Sequence, residues 1–179
     1  VFKQIILWKP ASSRILFYQT LLFCACAIMD FYVGVEGYTL PSRFILKELA
    51  IIYPNTEYAH HLFEQPKDVV LSPRDEKTVR YATRYLNRLN YADGDTPYQQ
   101  LESILQRLSD YTIYTYSEIA ANLIQDFLPT TIVINTQDLG YQLPKTLPNP
   151  SCFRIHRPRY CAKAKAHAVR NFVQHEQNS

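Results

Sequence analysis

Glycine supplies only four of the 179 residues, and none of them falls in a spacing that would cradle a phosphate or expose a serine on a sharp turn. Phosphate-loop nucleotide binding and nucleophile-elbow hydrolysis are therefore excluded as readings. Cysteine is as rare, with four in the chain. Cys24 and Cys26 lie in an apolar N-terminal stretch, leaving only Cys152 and Cys161 elsewhere. Two cysteines do not make a disulfide framework for a domain of this size, which points to a reducing, intracellular setting, nuclear or cytoplasmic. No apolar run reaches the roughly 20 residues of a membrane span. The longest, Ile15 to Met29, is interrupted by Gln19 and Thr20, so no membrane partner is expected. Internal repeats, coiled-coil heptads and low-complexity tracts are also missing. Acids are absent altogether between Asp138 and Glu176.

What is present is an ordinary globular composition, 47% hydrophobic, 13% aromatic and 20% charged. At this length the chain fits one domain with a real core. Fourteen tyrosines favour half-buried strand surfaces. The formal charge of +3 is unevenly placed: residues 139–179 hold seven basic residues against one acid, and the preceding residues hold 12 against 15. Residues 1–28 place Lys3, Lys9 and Arg14 ahead of the apolar run and small residues at Ala25 and Ala27. That is the pattern of a signal peptide, which would make the protein secreted. The alternative, preferred here, is translated upstream sequence before a start at Met29, the single methionine, because a core strand follows at once. The expected organisation is a non-domain segment over 1–28 and one domain over 29–179.

Within that domain, Asp30 to Glu36 reads as a first strand, Arg43 to Tyr53 as a second and Glu57 to Phe63 as a third, an antiparallel meander. Ser72-Pro73-Arg74-Asp75 is a helix start, with Val79, Ala82, Leu86 and Leu89 at helical spacing. Thr96-Pro97 repeats the signal ahead of Leu101, Ile104, Leu105 and Leu108. Tyr111 to Thr115 is a fourth strand. Ser117 caps a helix carrying Ile119, Leu123, Ile124 and Phe127, and Thr130 to Asn135 is a fifth strand. Strand, helix, strand in so short a span implies a right-handed unit with parallel strands. After a turn-rich stretch over 136–158, a final helix from about Arg159 puts Ala162, Ala166, Val169, Phe172 and Val173 on one face and Lys163 and Arg170 outward.

The expected class is thus α/β, a mixed sheet of about five strands flanked by helices, and its order resembles the ribonuclease H-like fold. Phe31-Tyr32-Val33-Gly34-Val35-Glu36-Gly37 followed by Ile45-Leu46-Lys47-Glu48-Leu49-Ala50-Ile51-Ile52 resembles the opening hairpin of DEDD-type three-prime exonucleases, and His61-Leu62-Phe63-Glu64-Gln65-Pro66 is similar to their third strand. The family needs several carboxylates to hold two metal ions roughly 4 Å apart. Matched to its motifs, the first aspartate position is Gly34, and only Glu36 agrees. The second acid position is Ala120, with Glu118 nearby. The final helix opens with Tyr160-Cys161-Ala162-Lys163-Ala164-Lys165 where the resemblance implies His and Asp.

The resemblance therefore implies a degenerate site, non-catalytic or weakly active. An active nuclease would need Glu36 with Glu118 and Asp138 as shifted ligands for Mg²⁺ or Mn²⁺; otherwise no cofactor is implied. Arg154, Arg157, Arg159, Lys163, Lys165 and Arg170 form the expected nucleic-acid surface, since cations neutralise phosphates. Set against it is a solvated basic face paired with acids of its own domain. Cys152, His156, Cys161 and His167 carry zinc-ligand chemistry at an uncommon spacing, with His60 and His61 as spare donors. A buried cysteine among surface histidines is the plainer alternative. Glu48, in the middle of an apolar strand, must be paired or sit at a sheet edge, and because Lys47 points to the other face a partner must come from elsewhere. A protein-interaction module is the remaining reading, and the oligomeric state is open.

Overall fold

The computed structural model describes residues 29–147 and 158–179. The expectations for residues 1–28, and for Cys152, Arg154, His156 and Arg157, lie outside the described residues.

Three strands follow in succession, β1 Asp30–Thr39, β2 Phe44–Ile52 and β3 Tyr58–Leu62. Side-chain alternation sends Phe31, Val33 and Val35 to one core and Tyr32 to another. β1 runs past the expected end at Glu36 because a bulge lets pairing continue. Glu36 lies opposite Glu48, whereas Gly37 lies opposite Leu46. Lys47 is the extra residue, and a bulge of this kind re-aims the side chains around it.

Helix α1, Pro73–Tyr81, starts as expected: the Ser72 hydroxyl accepts from the Asp75 amide while the Asp75 carboxylate accepts from the Ser72 amide. It continues into a π-helical turn, Ala82–Leu86, closed by Asn87 donating to the Ala82 carbonyl. Leu89, expected on the helical stripe, is buried beyond the helix end. A 3-10 turn at Tyr98–Gln100 leads into α2, Leu101–Gln106. Thr96 does not cap it, because its backbone is engaged in a bridge to Phe63 at the end of β3. Strand β4 is Thr112–Thr115, helix α3 is Glu118–Phe127 with Ser117 as its cap, strand β5 is Val133–Asn135 and helix α4 is Ala162–Gln177.

The sheet order is β3-β2-β1-β4-β5. β1 with β2 and β2 with β3 are antiparallel; β1 with β4 and β4 with β5 are parallel. Helices α2 and α3 bury Leu101, Ile104, Leu105, Ala120 and Ile124 on one face of the sheet. Helix α4 covers the other with Ala162, Ala166, Val169 and Val173. Helix α1 lays Val79 and the following Ala82 against Tyr38, Leu40 and Ile45. Ile119, expected in the buried stripe of α3, is exposed, since Ala120 and Ile124 form its inner edge. Among the described residues no helix is long and apolar enough to cross a membrane.

Candidate functional site

The alternation of β1 and β2 brings two carboxylates, Glu36 and Glu48, opposite each other beneath α4. Like charges in directly opposed positions repel, and both are buried, at 8% and 0% exposure. Each carboxylate is answered by a different part of α4. Lys165 Nζ stands 2.6 Å from Glu36 Oε2 and donates to the Val35 carbonyl at 3.3 Å. Glu48 Oε2 accepts from the Ala162 amide at 2.9 Å, and Glu48 Oε1 lies 2.7 Å from His60 Nε2. Cys161 occupies the N-cap position of α4 without capping it, and its thiol donates to Glu48 Oε1 across 3.9 Å. A carboxylate from a neighbouring strand thus meets a first-turn amide of the helix, where the orphan N–H groups favour negative charge. The partner that Glu48 requires is the start of α4 together with His60, one diagonal step away on β3.

Gly34 sets how closely this helix approaches the sheet. A Cβ there would occupy the same space as the Ala162 carbonyl oxygen and come within 2.9 Å of the Ala166 amide nitrogen. The volume that an aspartate side chain would need at this position is filled by helix backbone.

On the other side of the bulge, Lys47 is fully buried. Its ammonium donates to the carbonyls of Phe63 (2.5 Å), Tyr91 (2.9 Å) and Asp93 (2.6 Å). This cation fastens the 91–95 loop to the end of β3, where Gly94 lets the loop backbone rest against Phe63. The sequence gives no sign of this role, because its partners are main-chain atoms of a distant loop.

Glu118 and Asp138 do come together, on the wall of a shallow groove of about 690 Å³ shared with Asn122, Gln125, Asn135 and Gln137. Glu36 is not on that wall. Among the described residues no three His, Cys, Asp or Glu side chains form a metal-holding group.

The basic residues divide as well. Lys165 is engaged by Glu36. Lys163, expected to point outward, is buried instead at 6% exposure, its ammonium 3.8 Å from the centre of the Tyr58 ring; the negative ring face holds the cation where water would otherwise solvate it. Arg159 is exposed and Arg170 half-buried. His167 lies six residues beyond Cys161, roughly 9 Å along the helix axis. Burial first, then Lys163 and Arg170, push its pKa below the ordinary 6.5.

The chain matches no protein-family model, no curated protein and no solved structure.

Proposed function

We propose that this is a ribonuclease H-like domain that retains the fold without two-metal chemistry and binds nucleic acid through Arg159 and Arg170, together with Arg154 and Arg157, which precede them in the sequence. The observation that carries it is the packing of α4 on Gly34, with Lys165 against Glu36. A cation placed by the chain itself stands at the one acid that agrees with the exonuclease motif, and backbone fills the place of the next. The meander followed by two parallel strands supports the fold reading, since this is the succession that the resemblance implies.

The test is to incubate the purified chain with end-labelled single-stranded RNA and DNA in Mg²⁺ and in Mn²⁺, and to measure binding beside cleavage. Binding without cleavage, weakened by replacing all four arginines with alanine, is the expected result. Cleavage that disappears in Glu36→Gln would establish the active-nuclease reading instead. Cleavage lost in Glu118→Gln or Asp138→Asn but not in Glu36→Gln would move the metal site to the groove beside β5. Absence of any nucleic-acid binding, with a protein partner retained through purification, would favour the interaction module.

A zinc ion on the expected Cys152, His156 and Cys161, with the Glu48 carboxylate in place of the expected His167, is a second reading, favoured by the buried Cys161 thiol beside that carboxylate. Thiolate, imidazole and carboxylate all suit zinc. Metal analysis of the purified chain measures it: one zinc per chain, lost in Cys161→Ser, is expected, and a metal-free folded protein removes it.

A further inference from the structure

Helix α1 and its π-helical extension present two contrasting faces. The inner face is fully engaged: Val79 and Ala82 are in the core, and the Thr83 hydroxyl meets the Tyr38 hydroxyl at 3.1 Å and donates to the Leu89 carbonyl at 2.9 Å. The outer face carries Lys77, Arg80, Tyr81, Arg84 and Tyr85, and Arg88 follows just past the end of the extension, all exposed. From Lys77 to Ala92 the sequence contains no acid. The acids of this helix, Asp75 and Glu76, are confined to its first turn, where Asp75 closes the capping box.

Tyr81 and Tyr85 are the decisive pair. They are 58% and 46% exposed, yet their rings touch, with centroids 5.2 Å apart. Among the described residues they are the one ring pair whose members are both exposed. The Arg84 guanidinium lies 5.2 Å from the centre of the Tyr85 ring. Two exposed rings, with arginines before, between and after them in the sequence and no acid from Lys77 to Ala92, match a polyanion whose bases are unstacked. Phosphates take the arginines and bases take the rings, an arrangement tolerant of sequence because every base has a π-face. A duplex keeps its bases stacked inside and leaves the tyrosines nothing to take.

We infer that the outer face of α1 and the turn that follows it is a contact surface for single-stranded nucleic acid, with Tyr81 and Tyr85 as the base platform and Arg80, Arg84 and Arg88 as the phosphate contacts. This surface belongs to a different element from the C-terminal arginines and does not depend on the ribonuclease H-like reading.

Fluorescence anisotropy with the full chain tests it, using fluorescein-labelled RNA and DNA strands of about 20 nucleotides and the matching duplex across a salt series. Y81A/Y85A should weaken single-strand binding about tenfold or more without changing its salt dependence, and Y81F/Y85F should restore it. R80A/R84A/R88A should weaken it and lower the slope of log affinity against log salt by about 2, three contacts at roughly 0.7 each. Duplex binding should be weaker than either single strand. Affinity unchanged in both sets overturns the inference; if R159A/R170A alone loses binding, the C-terminal surface stands and this one falls. Failure of the wild-type chain to bind either strand overturns both, and capture of an acidic peptide by the same arginines would then assign the face to a protein. Unchanged circular dichroism of these exposed-residue variants separates lost contact from lost fold.

Discussion

Helices α1 and α4 both look basic in sequence, but they use their charge in opposite directions. In α4, Lys165 lies against Glu36 and Lys163 over the Tyr58 ring, so the lysines help hold the helix to the sheet. In α1 and its π-helical extension, the cations stay in water beside two exposed tyrosines. The difference comes from what the sheet places underneath. The first turns of α4 lie over the two buried carboxylates of β1 and β2, whereas α1 lies over Tyr38, Leu40 and Ile45, which have no charge to offer. A count of basic residues says how many cations a segment carries; the charge of the surface behind the helix decides how many remain for a ligand.

The comparison breaks most severely at Glu48. Glu48→Ala leaves the buried Ala162 amide and the partly exposed His60 without their carboxylate. Removing one partner from such a cluster costs about 3–5 kcal/mol, read as a lower denaturant midpoint at unchanged slope. Glu48→Gln retains an acceptor for the amide and should recover part of the loss. A cost below about 1 kcal/mol for the alanine variant would mean that α4 is anchored elsewhere. Arg84→Ala in the π-helical turn after α1, the matched control, should leave the midpoint where it is.

Gly34→Ala should come next, at about 1–3 kcal/mol or more, because the added methyl meets helix backbone, which cannot rotate away. Faster hydrogen exchange in the first turns of α4, with α1 unchanged, would locate the damage. Lys165→Met is smaller. It leaves Glu36 buried without its cation, a loss of about 1–3 kcal/mol that Glu36→Gln should largely cancel in the double variant. Additive losses would mean that the pair does not act as a unit.

Much of the sheet was legible in the sequence. A short apolar and aromatic run marked β1, the Ser72 capping box marked α1, and the strand, helix, strand run after Tyr111 marked the parallel half. What could not be read depends on contacts between distant elements. Glu48 stood out as a charge in an apolar strand, but its partners come from β3 and from the start of a helix more than 100 residues away. Lys163 carried no mark of burial, because the Tyr58 ring that accepts it lies on another strand. Tyr81 and Tyr85 were equally silent: tyrosine is at home in cores and at surfaces, and helical spacing alone does not show which side faces water. The acids followed the same rule. Glu118 and Asp138 reach one groove because both flank the α3 and β5 junction, while Glu36 is held under α4.

The smallest expected effect separates the two helices by pH. His167 on α4 is held below its ordinary 6.5 by burial, then by Lys163 and Arg170. His61 on β3 is lowered by burial first and then by His60. A lowered folded pKa means that the unfolded chain binds more protons between that value and about 6.5, so stability rises with pH across the window. The full contribution is present above about 6.5 and is lost as pH falls through the folded values. Urea midpoints should therefore drop between about pH 7 and pH 5, and His167→Gln should remove the share that belongs to α4. Lys163→Met takes away the stronger of the two cationic influences, so it should bring the His167 pKa part of the way back toward 6.5 and narrow the window. Replacing Arg80, Arg84 and Arg88 should leave this profile untouched, because none of them is among the groups that shift either histidine. A midpoint that rises on acidification would contradict the sign for both histidines.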